Sequence, residues 1–411
     1  MWILAGLITV TLGLWRRRKG QSMTAYRPLV APVLVTAALA VAIAQTIVVA
    51  ALPVFQDELR VSGAAVTWLL TGFMVVSAVA TPLAGRLGDR IGYRPVLIAC
   101  LLAFLVGAVL AAVANSNSWY AGVLAGRSLQ GVAGGVFPLL FGLARAIAGP
   151  EQRRHLVALL SSMFGVGGAL GMVLAGPITD WLGTSALFWC TALLGVAALL
   201  GATALPRTAP VPTTGPGLLT VLRGRALATT NLTTVIVSVA MFAAVTLLPQ
   251  FMQTRLGASP TTTGTAMIPM AALMLIGGPL ASRFAARRAL QTGAVLAAAA
   301  FTFLAAAHQH LWQTYVFAAI LGAAYGLAFA SLGNLAVDAV PPDQTGAATG
   351  INTILRTLGG ALGTQLSALA LTGGYVVAFL TFAVVALAAA AAAGGIVVGR
   401  TSDTHQMAPP A

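Results

Sequence analysis

Residues 85–94 read GRLGDRIGYR. They place one aspartate, three arginines and three glycines between two apolar runs, in a chain with only 8 acidic residues in 411. The runs on either side, 61–85 and 95–126, carry no charge at all. Equivalent uncharged stretches cover 28–56, 181–206, 226–254, 289–337 and 357–399. Each exceeds the roughly 18 apolar residues that mark a membrane-crossing helix. With 7% charged residues and a mean hydropathy of +0.94, the chain lacks the polar side chains for a water-facing surface of ordinary size. Backbone groups in lipid pair within their own segment, so these runs are expected to be helices. The fold class that follows is an all-α polytopic membrane protein.

Loop signals divide the apolar sequence into twelve spans: 29–53, 64–84, 95–114, 119–147, 155–179, 184–205, 229–252, 263–283, 289–308, 312–338, 344–370 and 373–398. The expected organisation is an N-terminal segment over 1–28, a six-helix bundle over 29–205 and a linker over 206–228. A second bundle over 229–399 and a tail over 400–411 complete it. Residues 1–15 are apolar but precede the basic cluster Arg16–Lys19, the reverse of a secretory signal, so Met1 and Met23 both stand as starts. The linker PRTAPVPTTGPGLLTVLRGRALA is rich in proline and arginine. Placing it in the cytoplasm puts eighteen Lys and Arg on that side and leaves only Arg60 and Arg255 opposite. The excess predicts a cytoplasmic linker and C-terminus, in the inner membrane. The net charge of +14 is scattered over short loops, so no nucleic-acid surface is expected. His308 and His310 lack a third ligand, and no metal site is read.

The halves are similar to each other. PLAGRLGDRIG at 82–92 matches PLASRFAARRA at 279–289, PEQR at 150–153 matches PDQT at 342–345, and GGALG at 167–171 recurs at 359–363. Three matches in one order argue for duplication.

The segment at 85–94, set after the second span of a duplicated six-helix unit, resembles the loop motif of the major facilitator superfamily, through Gly85, Leu87, Asp89, Arg90, Gly92 and Arg94. Arg127, Gln130 and Gly131 resemble the fourth-span motif of its drug:proton antiporter branch, and TIVVAALP at 46–53 its first-span motif. The resemblance implies a transporter of two six-helix bundles, with no enzymatic activity and no bound cofactor, working as a monomer in the bilayer. It implies export of small hydrophobic or amphipathic molecules by alternating access, with the proton gradient as energy source. An importer or an uncoupled facilitator of a small metabolite is the alternative. The branch usually carries an aspartate where this chain has Ala44, and Gly171-Met172 stands where Gly-Pro is usual.

In that frame 85–94 reads as a cytoplasmic gating loop. Gly85, Gly88 and Gly92 provide a tight turn, and Asp89 faces the start of the eleventh helix just after Pro341-Pro342-Asp343. Arg127, with Gln130 and Gly131, is expected to tune protonation or bind substrate, since a buried intramembrane arginine seeks a partner or a cavity. Structural bonding to nearby carbonyls is the competing reading, and Arg356 is left evenly divided between the two. Cavity-lining candidates are Gln45, Thr46, Met241, Phe242, Gln250, Tyr325 and Asn334, which together describe an apolar pocket with few polar anchors. Gly167, Gly168, Gly171, Gly359, Gly360 and Gly363 are expected to pack helices closely.

Overall fold

The computed structural model describes residues 30–207, 224–281, 283–340 and 345–396. The expected leader, most of the linker, Pro341-Pro342-Asp343 and the tail lie outside the described residues. Twelve helices run through the rest: α1 (Val30–Leu59), α2 (Gly63–Ile91), α3 (Tyr93–Ser116), α4 (Tyr120–Ile147), α5 (Pro150–Leu182) and α6 (Thr184–Thr203) in the first half. The second half holds α7 (Arg225–Arg255), α8 (Pro260–Ala281), α9 (Ala286–Ala306), α10 (Leu311–Asp338), α11 (Thr345–Ala370) and α12 (Tyr375–Gly394). Among the described residues, nine of these are long and apolar enough to cross a membrane. With short connections between them, successive helices run antiparallel. Each therefore has one end on the side of the segment joining α6 to α7, here called the linker end, and one at the opposite, far end. Exposed Trp68, Trp119, Trp181 and Trp312 all lie at the far end, where indole rings suit the boundary between lipid and water.

Two helices are broken. α1 passes through a 3₁₀ turn at Val49–Ala51 and α4 through another at Val132–Gly135. Pro53 and Pro138 lie just beyond them, and a proline ring clashes with the carbonyl four residues earlier while offering no N–H.

The motif at 85–94 is not a loop. α2 continues to Ile91, so Gly85, Gly88, Asp89 and Arg90 occupy its last two turns, and the chain reverses at Gly92 alone, with φ +94°. Packing explains why the glycines do not end the helix. A Cβ at Gly88 would come within 2.6 Å of Leu139 Cδ2 and 2.8 Å of Tyr93 Cδ1, so Gly88 lets α2 lie against α4 and the start of α3. A Cβ at Gly85 would meet only Pro138, at 3.8 Å.

The duplication shows in equivalent contacts. A Cβ on Gly167 would fall 2.5 Å from Ala42 Cβ and one on Gly171 2.6 Å from the Ile43 carbonyl, so α5 rests on α1. Gly359 and Gly363 set α11 on α7 in the same way, at 2.7 Å from the Val235 carbonyl and 2.2 Å from the Val239 carbonyl. Arg94 at the start of α3 donates to the Thr203 carbonyl ending α6, and Arg287 at the start of α9 donates to the Gly394 carbonyl ending α12. Nothing in the spacing of these arginines announced that pairing, because α6 and α12 lie more than a hundred residues away in sequence.

Candidate substrate cavity and gate

The halves meet through α2 against α11 and α5 against α8. Among the described residues, the hydrogen bonds between halves lie toward the far end. Gln253 Nε2 of α7 donates to the Ala50 carbonyl in the broken turn of α1 at 2.7 Å. Gln365 Nε2 of α11 donates to Thr71 Oγ1 of α2 at 2.9 Å. The backbone N–H of Thr261 donates to Asp180 Oδ2 at 2.8 Å. That last contact is a helix cap supplied from the other half: Ser259 Oγ takes the Thr262 N–H at 3.1 Å, and Asp180 takes the neighbouring donor in the first turn of α8. Close packing continues beneath it, where a Cβ on Gly176 would lie 2.2 Å from the Pro260 carbonyl. Among the described residues at the linker end, buried clusters stay within one half, such as Leu227, Ala336, Ala348 and Ile351. Asp89 there accepts from its own neighbour, Tyr93 Oη, at 2.7 Å. Among the described residues, the hydrogen bonds between halves are therefore gathered at the far end.

A cavity of about 50 Å³ lies between the halves near mid-span. Gln45 of α1 lines it from the first half, opposite Met241 and Phe242 of α7, Met274 of α8 and Phe329 of α10. Arg356 and Thr357 of α11 complete it, with the Arg356 guanidinium 5.5 Å from the centre of the Phe329 ring. Three of the expected lining residues, Gln45, Met241 and Phe242, are thus brought together.

The others sit elsewhere. Thr46 Oγ1 donates to the Gly168 carbonyl at 2.7 Å, tying α1 to α5. Gln250 is buried in α7 toward the far end. Tyr325 is buried inside the second half beside Ala240, Ala294 and Ala297, and its hydroxyl finds no hydrogen-bond partner among the described residues. Asn334 is exposed near the linker end of α10. Arg356, whose place sequence reasoning left open, carried one usable signal: a charge in the middle of an otherwise apolar helix.

Arg127 does not line this cavity. It is fully buried within the first half, where Nε donates to the Leu69 carbonyl at 3.1 Å. Nη1 donates to the Ala44 carbonyl at 3.0 Å and to Gln130 Oε1 at 2.8 Å. Gln130 Nε2 passes the chain on to Thr191 Oγ1 of α6 at 3.2 Å, and the guanidinium lies 4.7 Å from the centre of the Phe73 ring. Gly131 lets α4 reach α2, since its Cβ would fall 2.5 Å from the Phe73 carbonyl. The three residues of the motif thereby join α1, α2, α4 and α6.

The Major Facilitator Superfamily profile matches residues 34–265 and 230–406. The chain belongs to this superfamily. The family and the fold are those of transporters rather than enzymes. Among curated members, the multidrug transporter protein MdtP of Bacillus subtilis is 24% identical over 365 residues, spanning 72% of this chain and 66% of MdtP. An uncharacterised MFS-type transporter of Mycobacterium tuberculosis H37Rv is 34% identical over 171 residues, 39% of this chain and 24% of that protein. The matches thus cover less than two-thirds of either relative's length. The human organic anion transporter MFSD10 superposes with a TM-score of 0.68 at 18% identity, over 90% of this chain and 100% of that one, and shares the fold. The facilitator architecture accounts for the duplicated bundles, and with them for a cavity at the plane where the repeats meet.

Proposed function

We propose that this facilitator exports small amphipathic molecules across the inner membrane by alternating access, with the linker and C-terminus in the cytoplasm. The observation that supports the reading is the asymmetry of the interface: among the described residues, hydrogen bonds between halves gather at the far end, which suits loading from the linker side. The multidrug transporter among its relatives supports the cargo class. One chain supplies both halves of the cavity, which suits a working monomer, and no cofactor enters the cycle. The proton gradient is the proposed energy source.

An uncoupled carrier is the second reading, and one observation favours it. Asp57, Glu58, Asp89, Asp180 and Asp338 all lie at or near helix ends, and Ala44 occupies the position where a first-span carboxylate would stand. Flux of a fluorescent lipophilic dye in proteoliposomes, with and without an imposed pH gradient, tests both readings. Uphill movement abolished by a protonophore supports coupled export, purely downhill movement supports the carrier, and no movement of any dye refutes both.

A further inference from the structure

The duplication supplies an internal comparison at the linker end. α3 and α9 occupy equivalent places: Arg94, just inside α3, donates to the carbonyl ending α6, and Arg287, just inside α9, donates to the carbonyl ending α12. Counting on from these arginines sets Pro95, Ala99 and Leu102 of α3 against Arg288, Thr292 and Val295 of α9, and all six are exposed. The spacing of i, i+4 and i+7 puts each trio on one helix face. In the first half that outward stripe is apolar from its start. In the second it begins with a cation and a hydroxyl before turning apolar.

The connections leading into the two helices differ in the same sense. Gly92 alone turns α2 into α3, and Asp89 beside it accepts from Tyr93 Oη. The connection from α8 to α9 instead carries exposed Arg283 and Phe284, the ring 56% accessible. Arg283 and Arg288 therefore flank the start of α9. The depths along the stripe match a lipid. At about 1.5 Å of rise per residue, Thr292 lies about 6 Å and Val295 about 10 Å deeper than Arg288. The headgroup layer on each side of a bilayer is about 5–7 Å thick. With Arg288 level with the phosphates, Thr292 meets the glycerol esters and Val295 the acyl chains, while Phe284 sits at the interface, where an exposed ring is sheltered from water.

We infer that the start of α9 is a docking surface for an anionic phospholipid of the leaflet at the linker end, its phosphate held by Arg283 and Arg288 and its chains lying over Val295. A guanidinium fork meets phosphate oxygens with parallel N–H donors. An arginine beside an anionic membrane surface is worth about fivefold in affinity, so the pair favours an anionic over a zwitterionic lipid by about twenty-five-fold. The inference is independent of the cargo and of the direction of transport.

Native mass spectrometry of the purified, delipidated full chain, titrated with phosphatidylglycerol or with phosphatidylcholine of the same acyl chains, measures the preference. The first phosphatidylglycerol is expected to bind at least tenfold more tightly than the first phosphatidylcholine. The double variant Arg283→Gln with Arg288→Gln, which leaves Arg287 to cap α12, is expected to lose at least tenfold in phosphatidylglycerol affinity and to bind phosphatidylcholine as before. A photoactivatable phosphatidylglycerol in nanodiscs locates the site on the wild-type chain, even if the double variant does not fold. It is expected to label residues 283–299 well above the equivalent residues 90–106. Equal affinity for the two lipids overturns the inference, as does a preference that survives in the double variant or labelling shared evenly between the two segments. Loss of the labelling to excess inorganic phosphate overturns the lipid as occupant and makes the surface a site for a soluble anion.

Discussion

Replacing Asp180 by Ala tests the gate where its energetics are simplest. Its carboxylate accepts the Thr261 N–H at 2.8 Å across the interface, in the first turn of α8. Removing a side-chain cap from a helix costs about 1 kcal/mol, and a carboxylate near a helix N-terminus contributes a further fraction that water screens at an exposed site such as this. The bond is made only while the far ends are together. Its loss therefore weakens that state and leaves the opposite state untouched, shifting the ratio of far-closed to far-open molecules about fivefold. Spin labels on exposed Asn117 and Gln309, one at the far end of each half, report the change as pulsed-dipolar distance distributions. Asp180→Ala is expected to enlarge the long-distance population about fivefold relative to the short one. Asp180→Asn, which keeps a neutral acceptor, should fall between. A distribution unchanged by Asp180→Ala would refute the latch and confine the residue to solvation of a helix end.

Other substitutions separate packing from gating. Gly176→Val puts a branched side chain where even a Cβ would lie 2.2 Å from the Pro260 backbone, so it should wedge the far end apart and lengthen the same label distance. Gly363→Ala drives a Cβ against the Val239 carbonyl at 2.2 Å, whereas at Gly360 the nearest atom is the mobile Met74 Cε at 2.3 Å. The Gly363 variant should lose about 1–3 kcal/mol and melt well below the Gly360 variant in a thermal-unfolding assay. Arg127→Ala removes three hydrogen bonds from a charged donor and strands Gln130 Oε1, for an expected loss of about 3–5 kcal/mol, read as a collapse in folded yield by size-exclusion chromatography.

Much of the architecture was legible because lipid leaves the backbone few options. Long uncharged runs give spans, and proline and glycine mark where they stop or bend. The exception, at 85–94, shows the limit of that logic. Gly85, Gly88 and Gly92 look alike as letters, yet only Gly92 turns the chain, while Gly88 admits Leu139 and Tyr93 against a continuing helix. The cavity was only partly legible for a related reason. Helices that are apolar on every face give no periodic sign of which side meets the partner half, so Tyr325 and Gln250 looked as eligible as Gln45. Arg356 broke the apolar pattern, but its contact with Phe329 depends on how α10 and α11 are rotated, which no local pattern encodes.

The central claim is that cargo crosses only if the far ends separate. Cysteines in place of Asp180 and Thr261, in a chain whose native Cys100 and Cys190 are replaced by serine, can be joined by a short reducible crosslinker. Dye flux in proteoliposomes is then measured before crosslinking, after it, and after reduction. Alternating access expects flux to stop when the far end is tied and to return when the link is cleaved. Undiminished flux through the crosslinked protein would contradict it.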